Sequence, residues 1–226
     1  MRLLKKEWPQ LLILALPFCA AALLWDKLPD LFPIHWNIRG KIDGYAGKSF
    51  GAFFLPVVNV FVTALTAVLP RLDPKCRSYD PETQASVAGV FRIFRLMISL
   101  FLSAVVLAMY SVAMGSHLDL MRFSTGGLGV MFAVLGNLMG KLRPNYFAGI
   151  RTPWTLQSRT VWIKTHRLGG CLMVGGGVVI LIGSLLVPSS LCLIAALVTL
   201  VFCSIIPAVY SYFSYRTEKE SASKVP

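Results

Sequence analysis

Six apolar runs divide this chain, and polar segments of very unequal length separate them. The runs span Gln10 to Trp25, Phe50 to Leu69, Val90 to Met114, Phe123 to Gly140, Leu168 to Val187 and Leu191 to Tyr212. Apolar stretches of about 20 residues match the helical length needed to cross the hydrocarbon core of a bilayer. The pattern predicts an all-α integral membrane protein with six transmembrane helices. Three polar segments stand out: Asp26 to Ser49, Arg71 to Gly89 and Lys141 to Arg167. A connection between neighbouring membrane helices needs only a few residues, so these three are expected to be ordered. The chain is read as one membrane domain in three stretches. Residues 1–70 hold the first two spans and an outer loop, residues 71–122 an inner loop and the third span, and residues 123–226 the last three spans.

Composition agrees, with 56% hydrophobic and only 14% charged residues, where soluble domains run near a quarter charged. Arg2, Lys5 and Lys6 precede the first run as in a secretory leader. Trp25, Asp26 and Lys27 stand where small residues would mark a cleavage site, so the first helix is expected to be retained.

Charge then assigns sides. With the N-terminus inside, seventeen of the 22 cations fall on inner segments, and only Lys27, Arg39, Lys41, Lys48 and Arg122 fall outside. That asymmetry predicts an N-in, C-in arrangement. The net charge of +12 is read as contact with anionic lipid headgroups; no nucleic-acid-binding pattern is present. Arg92 and Arg95 are assigned to such headgroup contacts. Cys19, Cys76, Cys171, Cys192 and Cys203 form no C-x-x-C pair, so neither disulfides nor a metal site is inferred.

The fourth and fifth runs are rich in glycine, among them Gly126, Gly129, Gly136, Gly170, Gly176 and Gly177. Small residues let helix backbones approach closely in lipid, so these two helices are expected to pack tightly inside the bundle. Asn59 and Asn137 are read as interhelical hydrogen-bonding groups. No Asp, Glu, Lys or His occupies the middle of a run, which argues against a proton-coupled transport path.

In the inner loop at Arg71 to Gly89, Asp80 followed by Pro81 and Glu82 reads as a helix start. The outer loop, DKLPDLFPIHWNIRGKIDGYAGKS, has prolines that enforce extended backbone and Asp-Gly and Gly turns. It predicts a compact, non-helical excursion, with Trp36 and Tyr45 at the membrane interface. His35, Trp36 and Asn37 offer a titratable group, an aromatic platform and an amide. His35 is either hydrogen-bonded within the loop or, with Asp30 or Asp43, a base or metal ligand. In Lys141 to Arg167, six cations and two tryptophans occur with no acidic residue. Thr155 or Ser158 is expected to cap a short amphipathic inner-face helix with Val161, Trp162, Thr165, His166 and Gly169 on one side. Trp154 and Trp162 would anchor it in the interface, while Arg151, Arg159, Lys164 and Arg167 face phosphates or backbone carbonyls.

GNLMGKLRPNYFAGIRTPWTLQSRTVWIKTHRLGG, from Gly136 to Gly170, closely resembles the signature of the SdpI family, six-span bacterial membrane proteins named for immunity to a secreted killing peptide. The match runs through Asn145, Tyr146, Gly149 to Leu156, Trp162, Thr165, His166 and Arg167. The outer loop resembles a DUF1648-like domain at Leu28, Pro29, Pro33, His35, Trp36, Asn37, Gly40, Asp43, Gly44, Tyr45 and Lys48. The resemblance implies protection against a toxin at the bacterial cytoplasmic membrane, in some members linked to sequestering a transcriptional repressor.

The expected function is thus a membrane-embedded immunity or signalling protein with no cofactor, metal or catalytic residue. Its partners would be the lipid bilayer, a secreted peptide toxin outside and a cytoplasmic regulator inside. The residues singled out for binding are His35, Trp36, Asn37, Asp43 and Tyr45 outside, with Asn145, Arg151, Thr152, Trp154, Trp162, His166 and Arg167 inside. Two alternatives stay open. One is a metal-dependent hydrolase built on His35. The other is a small-solute or peptide exporter built on a polar cavity near Asn59 and Asn137.

Overall fold

The computed structural model describes residues 4–223. Arg2 and Lys224, counted with the inner cations, lie outside these residues, as do the side chains of Lys5 and Lys6. The elements are α1 (Leu4–Leu23), a 3-10 turn at Trp25–Lys27, β1 (Leu31–Trp36), β2 (Ile42–Gly47), α2 (Lys48–Leu72), α3 (Pro74–Arg77) and α4 (Pro81–Ala113). They continue with α5 (Leu120–Met139), α6 (Pro153–Gln157), α7 (Arg159–Leu186) and α8 (Ser189–Ala222). Each apolar run falls on one long helix. Four of these, α2, α4, α7 and α8, are long and apolar enough to cross a membrane, and α1 has a shorter apolar stretch, Glu7–Leu23. The chain is therefore a multi-pass membrane protein in contact with lipid. α5 is equally helical but is diluted by Arg122, Asn137 and its glycines.

Helix starts follow the turn chemistry. Asp80 accepts the Thr83 N–H at 2.9 Å with Pro81 in the first turn of α4. The Thr83 side chain and N–H hold its carboxyl below the usual carboxylate value.

Several expectations need correction. The fold is not wholly helical: β1 and β2 form an antiparallel hairpin. The outer loop builds it because Pro33 favours extended backbone and Asn37 closes the turn. The Asn37 Oδ1 accepts the N–H groups of Arg39 and Lys41, and Gly40 takes φ +73°. The inner-face helix does run on into the fifth apolar run, as the first turns of α7, but it is packed within the protein and is not an amphipathic surface helix. α6 is a single turn, and Val161, Trp162, Thr165, His166 and Gly169 are buried in the first turns of α7. Their periodicity is that of a packed face, and the facing protein, rather than lipid, fills it.

α5 and α7 pack with backbones in contact. A Cβ on Gly129 would stand 2.7 Å from the Gly177 carbonyl, and one on Gly136 would stand 2.8 Å from the Val174 nitrogen. This close approach is the arrangement expected of small residues in lipid.

α1, α2 and α4 are joined by polar groups instead. The Gln10 Nε2 donates to Ser99 Oγ at 2.6 Å, Ser99 Oγ pairs with Thr63 Oγ1 at 2.7 Å, and the Asn59 amide donates to Ser99 O and Ser103 Oγ. Asn59 is an interhelical group as expected, whereas Asn137 lies exposed on α5. Arg95 does not face headgroups. It is buried and paired with Glu7 of α1, because a guanidinium this deep among helices needs a carboxylate beside it.

Candidate functional site

Two polar assemblies occupy opposite ends of the bundle. α2 begins directly after the hairpin and ends beside the loop that follows α5. Its 25 residues, at roughly 1.5 Å each, separate the two by about 37 Å. The motifs cannot share one site.

The hairpin is clamped to the helix ends by Phe32. Its ring is fully buried and meets Tyr110 edge-on at 5.9 Å. A Cβ on Gly51 would come within 2.5 Å of it. The Tyr110 hydroxyl donates to Ala52 O at 2.6 Å, which ties α4 to α2 beneath the strand. His35 Nδ1 lies 2.5 Å from Asp43 Oδ1 across the strands, the pairing that one reading of the loop required. Gly44 admits this approach, since a Cβ there would meet the His35 Cβ at 2.8 Å. Trp36 packs half-buried on the core under the hairpin, and Tyr45 stays 57% exposed, as Ile34 and Ile38 are exposed too. Asn37 acts on the turn alone. Among the described residues no group of three or more His, Cys, Asp or Glu side chains is placed to hold a metal.

At the other end the segment from Lys141 to Arg167 folds back on itself into a knot. Asn145 is buried and accepts the N–H groups of Phe147 and Ala148 while its amide donates to Arg143 O. The chain then turns at Gly149, with φ +99°. That places the Ile150 N–H 3.1 Å from His166 Nε2, while His166 Nδ1 lies 2.8 Å from the Trp162 carbonyl. A carbonyl only accepts and an N–H only donates, so these partners assign the proton to Nδ1 and the ring is neutral. His166 stacks on Trp162 at 3.9 Å, and the Trp162 indole donates to Leu142 O at 2.8 Å. Trp162 is thus a fully buried core residue and not an interfacial anchor.

The second half of the knot is a capping box. Thr152 caps α6, and Thr155 donates back to Ile150 O at 2.8 Å. Ser158 caps α7. Thr152 also pairs with Ser211 of α8 at 2.9 Å, and Trp154 lies edge-on to Tyr212 at 5.1 Å. Arg151 donates to Tyr146 O at 2.6 Å, a backbone carbonyl as expected. Arg167 remains exposed.

Sequence reasoning missed the residues that hold this knot from outside it. Asp73 is completely buried. Its carboxylate caps α3 through the N–H groups of Lys75 and Cys76, and its other oxygen accepts the Tyr146 N–H at 2.6 Å. Lys75 reaches Leu156 O at 2.8 Å and lies over the Tyr146 ring, and the Tyr79 hydroxyl donates to Pro144 O. Burial, and after it the Asp73 carboxylate, pushes the Cys76 thiol up to about 11, so it stays protonated at neutral pH. The available signal was Asp73 before Pro74, which repeats the Asp80–Pro81 helix start.

Both assemblies lie within regions shared with known proteins. Residues 141–212 match the SdpI/YfhL protein family. Residues 12–60 match a domain of unknown function, DUF1648. Immunity protein SdpI of Bacillus subtilis (strain 168) is 26% identical over 213 residues, which cover 94% of this chain and 97% of that protein. No solved structure matches the chain. These findings bear out the family resemblance drawn from the knot and hairpin motifs.

Proposed function

We propose that this chain protects the cell carrying it against a secreted antimicrobial peptide, acting from within the bacterial cytoplasmic membrane. The observation that carries the proposal is the match to an immunity protein along 94% of the chain, with the hairpin and the knot inside the two matched regions. All six long helices cross the membrane, the knot and both termini face the cytoplasm, and the hairpin faces outward. The excess of cations at the knot end supports this orientation. So does Arg122, a cation of the hairpin end, which is absorbed locally: it pairs with Asp119 and donates to the Leu185 carbonyl at the end of α7.

In this reading the hairpin meets the peptide. Ile34, Ile38 and Tyr45 are exposed apolar side chains on a hairpin anchored by buried Phe32, and His35 with Asp43 adds a polar pair. The knot is scaffold, since Asn145, Thr152, Trp162 and His166 turn their polar atoms onto the protein itself and the exposed Arg151 braces the Tyr146 carbonyl. A cytoplasmic regulator would therefore meet the exposed cations around the knot and not its buried groups. Expression in a toxin-sensitive host, followed by challenge with the peptide, tests the proposal. Survival above that of cells lacking the protein is expected, and equal survival would sink it for that toxin.

A further inference from the structure

Lys141, Arg143, Arg159 and Arg167 line a single cavity of about 330 Å³ where the start of α4, the end of α5 and the first turns of α7 meet. No acidic side chain lines it. None of the four cations forms an ion pair with a described residue. The knot brings them together: Arg143 lies two residues before Asn145, Arg159 opens α7 behind its Ser158 cap, and Arg167 follows His166 by one. Four like charges facing one concavity repel each other, and the positive end of the α7 dipole adds to the field. The Lys and Arg side chains that do form ion pairs among the described residues, Arg95 with Glu7, Arg122 with Asp119 and Arg216 with Glu220, lie outside this cavity.

The walls narrow the choice of anion. Three of the four cations are arginine, whose planar fork matches phosphate oxygens in pairs, and Ser86 adds a hydroxyl from α4. Val90 and Ile163 supply apolar wall, and both belong to helices that continue as membrane-crossing segments. A phosphate set on the cations would therefore have its attached chain lie along hydrocarbon. We infer that this cavity binds the phosphate head of one anionic membrane phospholipid. The lipid's phosphate offsets part of the cations' positive charge and so braces the knot against α4. The inference stands independently of whether the chain protects against a peptide.

The test uses the full-length protein purified in detergent, with thermal unfolding and native mass spectrometry as readouts. Titrated phosphatidylglycerol raises the melting temperature by mass action and gives a one-lipid adduct, whereas phosphatidylcholine does neither. Arg143→Gln with Arg159→Gln weakens binding by at least about tenfold, the scale of one lost charge-assisted contact. Lys141→Gln with Arg167→Gln does the same and serves if the first pair fails to fold. A charge-matched control on the α8 tail, Arg216→Gln with Lys219→Gln, binds as the parent does. Equal loss in the control, or equal stabilisation by phosphatidylcholine, would overturn the site in favour of diffuse attraction. A full shift with inorganic phosphate alone would overturn the lipid and leave free phosphate as the ligand.

Discussion

Replacing Gly149 by alanine lowers the unfolding temperature by about 10 °C, the expected consequence of a loss near 4 kcal/mol in a chain of this size. Two effects add. Gly149 has φ +99°, where a side chain costs about 1–2 kcal/mol on conformation alone. The new Cβ would also stand 2.3 Å from His166 Nε2, so the ring must leave the position in which it accepts the Ile150 N–H. That leaves a buried donor and acceptor without partners, at about 1–3 kcal/mol. The double variant Gly149→Ala with His166→Ala separates the terms. Removing the ring makes room for the methyl group, so the pair loses less than the sum of the two single changes. Additive losses would mean that ring and turn are not coupled.

The second large effect belongs to Asp73. Asp73→Ala removes the acceptor for three backbone N–H groups, those of Lys75, Cys76 and Tyr146, and lowers stability by about 4 kcal/mol at 1–3 kcal/mol per orphaned donor. Asp73→Asn is the sharper experiment. Asparagine caps a helix as well as aspartate does, so the start of α3 survives. Its amide NH2, however, would face the Tyr146 N–H, donor against donor. A loss of about 2 kcal/mol in this variant, with amide exchange rising at Tyr146, shows that the carboxylate joins the α2–α4 connection to the knot. Wild-type stability in Asp73→Asn would reduce Asp73 to a helix cap.

Much of the fold was legible because one physical rule governs each part. Apolar length marks the long helices, since lipid demands it. Glycines mark the α5–α7 contact, since only they let two backbones touch. Prolines and Asn37 mark a non-helical outer loop. What was not legible depends on distant partners. Trp162 and His166 carry a helical period, but period alone does not say whether lipid, water or protein covers the face. The Gly149 turn and the Ile150 N–H that meet His166 come from a loop with no period. Asp73 lies 73 residues from Tyr146, and nothing local announces the pairing. Gln10 and Arg95 fell in or near apolar runs, and only the packing of α1 on α4 gives them Ser99 and Glu7. The candidate site was visible as two motifs, and the turn hydrogen bonds of Asn37 and the buried contacts of His166 then separated structural duties from free surface.

The central claim is a division of labour: recognition at the hairpin, scaffold at the knot. Survival under toxin challenge, divided by the amount of folded protein recovered from the membrane, measures it. Tyr45→Ala alters an exposed hairpin side chain, and Arg151→Ala removes a guanidinium whose hydrogen bond among the described residues is to Tyr146 O. Protection per folded molecule is expected to fall for Tyr45→Ala and to hold for Arg151→Ala, whose loss appears only as less folded protein. Undiminished protection per molecule in Tyr45→Ala, with a loss in Arg151→Ala, would contradict the account and move recognition to the knot.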